Sequence, residues 1–293
     1  MNFLIIIPAH NEEAFIAYCL KSLQRQRYRD FRAVIVNDGS TDATREVCDD
    51  FLNNHNDTRF TILNLQTSQH QPGAKVVRSF NAGLETQNLQ HFDIICKFDA
   101  DIIFPENYLE ELAKVYVENP RAGMVSGLVK ISSKKPIAED AFDFSDSDEV
   151  WKFENISSKN HVRGPVKSYR RVCFEKIGGL RPVLGWDNID VMLSEISGYE
   201  VVTIKNLWVK HLRPTAFKYQ GQRAEKLGEY FYNIGLDLPL TILSAAKEAR
   251  KGGGVQNFFI ILKSYLRQRG RRVLTKYEIR EVRKLRWKKI LVR

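Results

Sequence analysis

Phe3-Leu4-Ile5-Ile6-Ile7-Pro8-Ala9-His10-Asn11-Glu12-Glu13 decides how the rest of the chain is read. An unbroken apolar run closed by proline predicts a strand buried on both faces. After it, Ile16, Cys19/Leu20 and Leu23 fall at helical spacing, with Asn11 the expected N-cap and two glutamates suited to the first turn. The same alternation repeats downstream. Strands are expected at 33–36, 60–65 and 93–98, and helices at 44–52 and 74–84. Strand and helix alternating every thirty residues or so predict βαβ units and a parallel sheet. Glu12, Asp38 and the pair Asp99/Asp101 then each follow the carboxyl end of a separate strand. That edge is where open α/β sheets bind ligands.

Past Asp101 a helix is expected at 105–118 and a strand at 124–131. Residues 136–155 are acidic with interleaved aromatics, and 163–171 are basic with a glycine. A helical pattern ends at Gly198, and strand-like residues run from 201 to 211. The 293 residues carry a net charge of +10, and 43% are hydrophobic, enough for a substantial core. All the excess charge lies in the tail, where 247–293 holds 16 Lys/Arg against 3 Asp/Glu. Such asymmetry points to an anionic partner for that segment. Cys19, Cys48, Cys96 and Cys173 are scattered in apolar segments, which predicts buried thiols rather than a zinc site or a disulfide framework. The N-terminal run lacks a basic flank and is short for a signal peptide, and no stretch is long enough for a membrane span. A cytoplasmic protein is expected.

Two carboxylates two residues apart at a strand end suit Mg²⁺ or Mn²⁺. A bridging cation would let a nucleoside diphosphate approach them and would stabilise it as a leaving group. The alternative is a pair of solvated turn aspartates. If the strand continued, both side chains would share one face.

Ile7-Pro8-Ala9-His10-Asn11-Glu12-Glu13, Val36-Asn37-Asp38-Gly39-Ser40-Thr41-Asp42 and Phe98-Asp99-Ala100-Asp101 together resemble family-2 glycosyltransferases of the GT-A fold. The likeness extends through Gly178-Gly179-Leu180 and Gly185-Trp186-Asp187 to His211. It implies an α/β, mostly parallel sheet flanked by helices. A catalytic domain is expected at 1–215, its donor half 1–101 and acceptor half 102–215, with a helical basic extension at 216–293. The resemblance sets Pro8, Ala9, Glu12, Asp38, Lys75, Asp99, Ala100 and Trp186 along a nucleoside-diphosphate sugar. In that arrangement Asp101 is the direct metal ligand and Asp99 lies nearer the ribose. Lys75 is nearly as well read as an exposed helix lysine, and Trp186 as a stacking platform for an acceptor sugar or as core.

By the same likeness Asp187 is the general base that takes the acceptor hydroxyl's proton, in a reaction that inverts the sugar carbon. Trp186 stands where the family usually has glutamate, so Asp190, three residues on, is the competing base. His211 would complete the metal site, or is structural. Lys210, Arg213 and Arg163 are weaker candidates for phosphate. The acidic stretch 136–155 is expected to shape the acceptor pocket.

Apolar faces flanked by Lys and Arg in the tail suggest the inner membrane surface, and an acceptor that is a glycan or lipid-linked. Nucleic acid is disfavoured, and the plainer alternatives are a solvated helical appendage packed on the catalytic domain or a dimerisation arm. Two other functions compete. A nucleotidyltransferase would want a basic, Gly-rich loop after the first strand, where this chain is acidic. A non-enzymatic, basic-tailed binding module would lose its activity with the tail. No G-x-G-x-x-G follows the first strand, which disfavours a nicotinamide enzyme.

Overall fold

A computed structural model of the chain describes residues 1–66, 74–132, 140–145, 150–155, 158–213, 223–250, 254–270 and 272–291. The opening run is strand β1 (Phe3–Ala9). Phe3, Ile5 and Ile7 enter one hydrophobic core, and Leu4 and Ile6 enter another on the opposite face. A strand covered on both faces has no solvent side, so its sequence is apolar without alternation. Helix α1 (Ile16–Gln24), β2 (Phe31–Asp38), α2 (Thr44–His55), β3 (Phe60–Leu65), α3 (Ala74–Glu85) and β4 (Ile94–Phe98) follow in the expected order. β2 and β4 flank β1 in parallel, and β3 runs parallel to β2.

The second half brings in antiparallel neighbours. Its elements are β5 (Ile102–Ile103), α4 (Tyr108–Glu118), β6 (Ala122–Ile131), β7 (Lys152–Phe153), β8 (Val166–Arg170), α5 (Arg171–Lys176), α6 (Trp186–Ile196) and β9 (Glu200–His211). The sheet order is β3-β2-β1-β4-β8-β6-β9-β5, with β7 on β6. β8 lies antiparallel between β4 and β6, and β9 runs parallel to β6. The basic stretch 163–171 thus supplies a central strand, which its composition does not announce. Helix α4 begins at Tyr108, later than expected, because Pro105 to Asn107 form a turn closed by the Tyr108 N–H to the Pro105 carbonyl at 3.0 Å.

Four further helices, α7 (Arg223–Asn233), α8 (Leu238–Glu248), α9 (Gly254–Arg267) and α10 (Lys276–Leu291), are described in the tail. Phe231, Leu240, Ile261 and Val282 from these helices share one core with Phe174, Leu180, Trp186 and Ile189. The tail is therefore bound to the α5–α6 side of the sheet through apolar burial. The expected boundary at 215 falls within 214–222, outside the described residues, as do 133–139 and 146–149 of the acidic stretch. All four cysteines are buried and free, as expected.

Gly83 sets how closely α3 approaches the sheet. A Cβ there would stand 2.6 Å from Val36 Cγ2 and 2.9 Å from Ile6 Cγ2, both held in the parallel strands. Gly83→Ala gains helix propensity but forces this contact apart, and a net loss of about 1–3 kcal/mol is expected in urea unfolding. Unchanged or increased stability would mean that helix and sheet are not so close.

Candidate active site

Register brings the polar strand ends together. Ala9 pairs with Asn37, and Ile6 pairs with Lys97, so the carboxyl ends of β2, β1 and β4 finish side by side. Pro8 and Ala9 close β1, and Asp38 closes β2, buried at 3% exposure. The Asp38 carboxylate accepts the Ser79 hydroxyl at 2.6 Å and has the Lys75 ammonium at 3.9 Å, both from α3. Lys75 is buried, not the exposed helix lysine of the alternative reading. His10 Nδ1 donates to the Asp38 carbonyl at 2.9 Å.

Asn11 is not the N-cap of α1. It sits in the left-handed region (φ 57), and its side-chain oxygen accepts the Thr41 N–H at 2.8 Å. Asparagine tolerates that conformation, and its amide is taken by the neighbouring loop. The Glu12 carbonyl instead accepts the N–H groups of Phe15 and Ile16, both at 2.9 Å, ahead of α1. The Glu12 N–H donates to Thr44 Oγ1 at 2.7 Å, joining the loops after β1 and β2.

The two carboxylates after β4 part company, because the strand stops at Phe98 and Ala100 turns into the core. Asp99 pairs with Lys97, whose ammonium also reaches the Gly164 carbonyl at 3.3 Å. Asp101 is buried, 3.5 Å from His211 Nε2 and 3.1 Å from Arg213 Nη2. The β5–β9 pairing sets Ile102 opposite His211 and so delivers the imidazole to Asp101. The same Arg213 nitrogen lies 2.5 Å from Glu12 Oε1, while Glu12 Oε2 is buried without a partner among the described residues. Glu154 completes the group. Its carboxylate stands 3.2 Å from His211 Nδ1 and accepts Arg163 Nη1 at 2.6 Å.

Crowded carboxylates give this cluster its electrostatics. Burial, then the charge of Asp101, raises the Glu12 pKa to about 7 against the pull of Arg213. Burial would lower His211, but Asp101 and Glu154 outweigh it and raise its pKa to about 9. Burial likewise opposes the charge of Asp101, yet His211 and Arg213 hold that carboxyl below its usual range. No three His, Cys, Asp or Glu side chains among the described residues form a ready metal cage. Asp101 and a deprotonated His211 nevertheless fit a divalent ion as a carboxylate–imidazole pair, better for Mn²⁺ than for Mg²⁺. The crowding of Asp101 and Glu12 around a single guanidinium shows that this place takes positive charge.

Asp187 and Asp190 lie in different surroundings. Asp190 is 1% exposed, with Lys167 Nζ at 2.6 and 2.8 Å from its two oxygens. The Tyr169 hydroxyl and the Val191 N–H also donate to it. Asp187 is half-buried beside Gly164, on whose other side lies the Lys97–Asp99 pair. Lys167 additionally donates to the Asp187 carbonyl at 2.7 Å, fixing the start of α6. Trp186 is buried at 7%, its indole 5.2 Å from the Lys97 ammonium and 5.3 Å from that of Lys167. Lys210 is buried against Phe144 and Trp151. Sequence reasoning missed Lys167, Glu154 and Ser79. The one available signal was a lysine inside a short run (Val166 to Arg170) that alternates like a strand.

Comparison with known proteins gives the family and the fold. The family model described as Glycosyl transferase family 2 matches residues 4–161, more than half of the chain. The chain belongs to that family. It is 33% identical over 114 residues to Glycosyltransferase GlyA of Streptococcus pneumoniae, an alignment covering 39% of this chain and 15% of that protein. It is 27% identical over 199 residues to Probable glycosyltransferase YdaM of Bacillus subtilis, covering 63% and 42% respectively. This chain spans less than half the length of these curated relatives. Among solved structures, mannosyltransferase PcManGT from Pyrobaculum calidifontis, in complex with GDP-Man and Mn²⁺, superposes with a TM-score of 0.58 at 18% identity. That match covers 99% of this chain and 75% of the other. TarS of Staphylococcus aureus in complex with UDP gives 0.57 at 16% identity, over 94% and 95%. The fold is therefore GT-A. Asp187, Asp190 and His211 lie beyond the residues matched by the family model.

His211 binds its proton more tightly folded than unfolded. It therefore stabilises the metal-free protein below pH 6.5, and that contribution is lost as pH rises through about 9. Glu12 acts with the same sign between 4.5 and about 7. In chelator-treated protein the melting temperature should fall from pH 6.5 to 9.5, and His211→Gln should remove much of the fall above pH 7. An unaltered slope in the variant would contradict the ionised Asp101–His211–Glu154 arrangement.

Proposed function

From that membership we propose that the chain transfers a sugar from a nucleoside-diphosphate donor to an acceptor hydroxyl, with inversion, in the synthesis of a surface polysaccharide or glycoconjugate. The observation that carries this reading is the shared rim of carboxylates. Buried Asp38 and Asp101 and half-buried Glu12 crowd the ends of three adjacent strands, where they suit the hydroxyl and N–H donors of a nucleoside and a cation beside its diphosphate. Asp38 holds the nucleoside, with Lys75 beside it for the donor, and Pro8, Ala9 and Ala100 form the backbone wall. Asp101 and His211 hold a divalent ion, Mn²⁺ or Mg²⁺, which when bound offsets the diphosphate charge as a Lewis acid. Asp99, tied to Lys97, faces the ribose.

Asp187 is the better-supported base. Both Asp190 oxygens are spent on Lys167, Tyr169 and the Val191 N–H, so that carboxylate has no accessible lone pair aimed at an acceptor. In the proposed reaction the acceptor oxygen attacks the anomeric carbon and the bond to the diphosphate breaks. The hydroxyl proton passes to Asp187. A single displacement through opposite faces inverts that carbon. Trp186 holds Lys97 and Lys167 in place rather than offering a stacking face, consistent with its burial.

The catalytic unit proposed spans residues 1–215, and the basic helical extension meets the inner membrane surface near a lipid-linked or glycan acceptor. Among the described residues no helix is long and apolar enough to cross a membrane. A panel of nucleotide sugars, scored by diphosphate release with Mn²⁺, with Mg²⁺ and with chelator, tests the reading. Asp187→Asn should lower turnover by about 10²–10⁴ with donor affinity kept. Asp190→Asn should act mainly on stability, costing about 3–5 kcal/mol by leaving Lys167 buried and unpaired. Release that ignores chelator and survives Asp101→Ala would remove the metal, and full turnover in Asp187→Asn would remove the base.

A further inference from the structure

Between α8 and α10 lies a cleft of about 520 Å³, remote in sequence from the donor motifs. Lys247, Arg250, Arg286 and Lys289 line it together with Ser244, Leu243 and Ile290. Lys289 is paired with Glu195 of α6 at 2.7 Å, whereas Lys247, Arg250 and Arg286 meet no carboxylate among the described residues. Apolar side chains stand exposed in its lining: Leu243 at 46% and Ile290 at 42%. A solvated helix face would not present leucine and isoleucine among unpaired cations, and an apolar protein interface would not gather the cations.

We propose that this cleft and its rim dock on an anionic phospholipid bilayer, with lipid phosphates between Lys247, Arg250 and Arg286 and the rim residues entering the headgroup boundary. The inference rests on the membrane-surface reading above and names the surface that makes contact. Basic residues near an anionic membrane each contribute favourably, and apolar side chains beside them add reversible insertion. The placement also suits the chemistry. α10 packs along α6, whose first turn carries Asp187, and Tyr230 packs against Gly185 at the start of that helix. Tyr230 feels the charges of both Arg286 and Asp187. Docking here turns the acceptor side of the site toward the headgroups.

The test is co-sedimentation of the full chain with vesicles of two-to-one phosphatidylcholine and phosphatidylglycerol, against vesicles of phosphatidylcholine alone. The chain should bind the anionic vesicles and not the neutral ones. Lys247→Gln/Arg250→Gln/Arg286→Gln should weaken binding on the order of a hundredfold. A charge-matched control, Arg27→Gln/Arg45→Gln/Arg121→Gln, should stay within threefold. Leu243→Ser/Ile290→Ser should weaken binding with the charge intact. Equal loss in the control would reduce the effect to net charge and overturn the cleft. Equal binding to neutral vesicles would overturn the phosphate contact, and so would competition by inorganic phosphate in a variant-sensitive site that holds no vesicle. A dimer in solution that the cleft variant dissolves, without vesicle binding, would reassign the surface to a second copy. Diphosphate release on a soluble acceptor should persist in the cleft variant, so its loss would point at the glycosyl-transfer reading instead. Failure of the unaltered chain to bind any vesicle would remove the membrane reading itself.

Discussion

Glu12, half-buried, and Asp101, buried, are carboxylates drawn to one place by the parallel packing of β1 and β4, and one guanidinium answers both of them. Two like charges in a poorly solvated pocket cannot both stay ionised without a cation between or beside them. Arg213 supplies that charge in the metal-free protein, and its position at the end of β9 depends on the β5–β9 pairing that also delivers His211. In the proposed reading a divalent ion at Asp101 would take over part of the charge balance that this guanidinium supplies, and donor binding would then be coupled to Arg213. The strand ends, the histidine and the arginine form one electrostatic unit.

A second buried pair does comparable work where β8 meets α6. Lys167 and Asp190 are both almost wholly enclosed, and together they tie β8 to the first turns of α6. Removing either would strand a charge, so the pair strongly restricts where the first turn of α6 can lie. Asp187 sits in that turn, with its carbonyl on Lys167 and no side-chain hydrogen bond among the described residues. Asp190 is spent on structure, and Asp187, three residues earlier, is left half-buried beside Gly164. Trp186 covers both lysines and excludes water from them.

Residues 1–101 were legible because β1, β2 and β4 are covered on both faces. Continuous apolar runs at 3–7 and 33–36 left few other readings, and the polar residues at their ends could be placed from sequence alone. The parting of Asp99 and Asp101 was not legible, since it depends on β4 stopping at Phe98 rather than continuing. β8 escaped notice for a related reason. Val166-Lys167-Ser168-Tyr169-Arg170 carries a lysine that is tolerated in the sheet only through Asp190, 23 residues away. The Glu12–Arg213 contact spans 201 residues and has no local signature. The tail reads as charge, yet Val282 and Ile261 fix it to the core, and only the structure sorts its buried apolar residues from its exposed ones.

Electron paramagnetic resonance of Mn²⁺, titrated into the protein with and without a nucleoside diphosphate, tests the carboxylate rim most directly. The account predicts weak binding of the ion alone, because Arg213 already answers Asp101, and much tighter binding once the diphosphate contributes its oxygens. Asp101→Ala and His211→Gln should each weaken that ternary signal, while Asp99→Asn should weaken it less. A Mn²⁺ signal indifferent to nucleotide, or unchanged by Asp101→Ala, would contradict the claim that this rim is a cation-bridged diphosphate site.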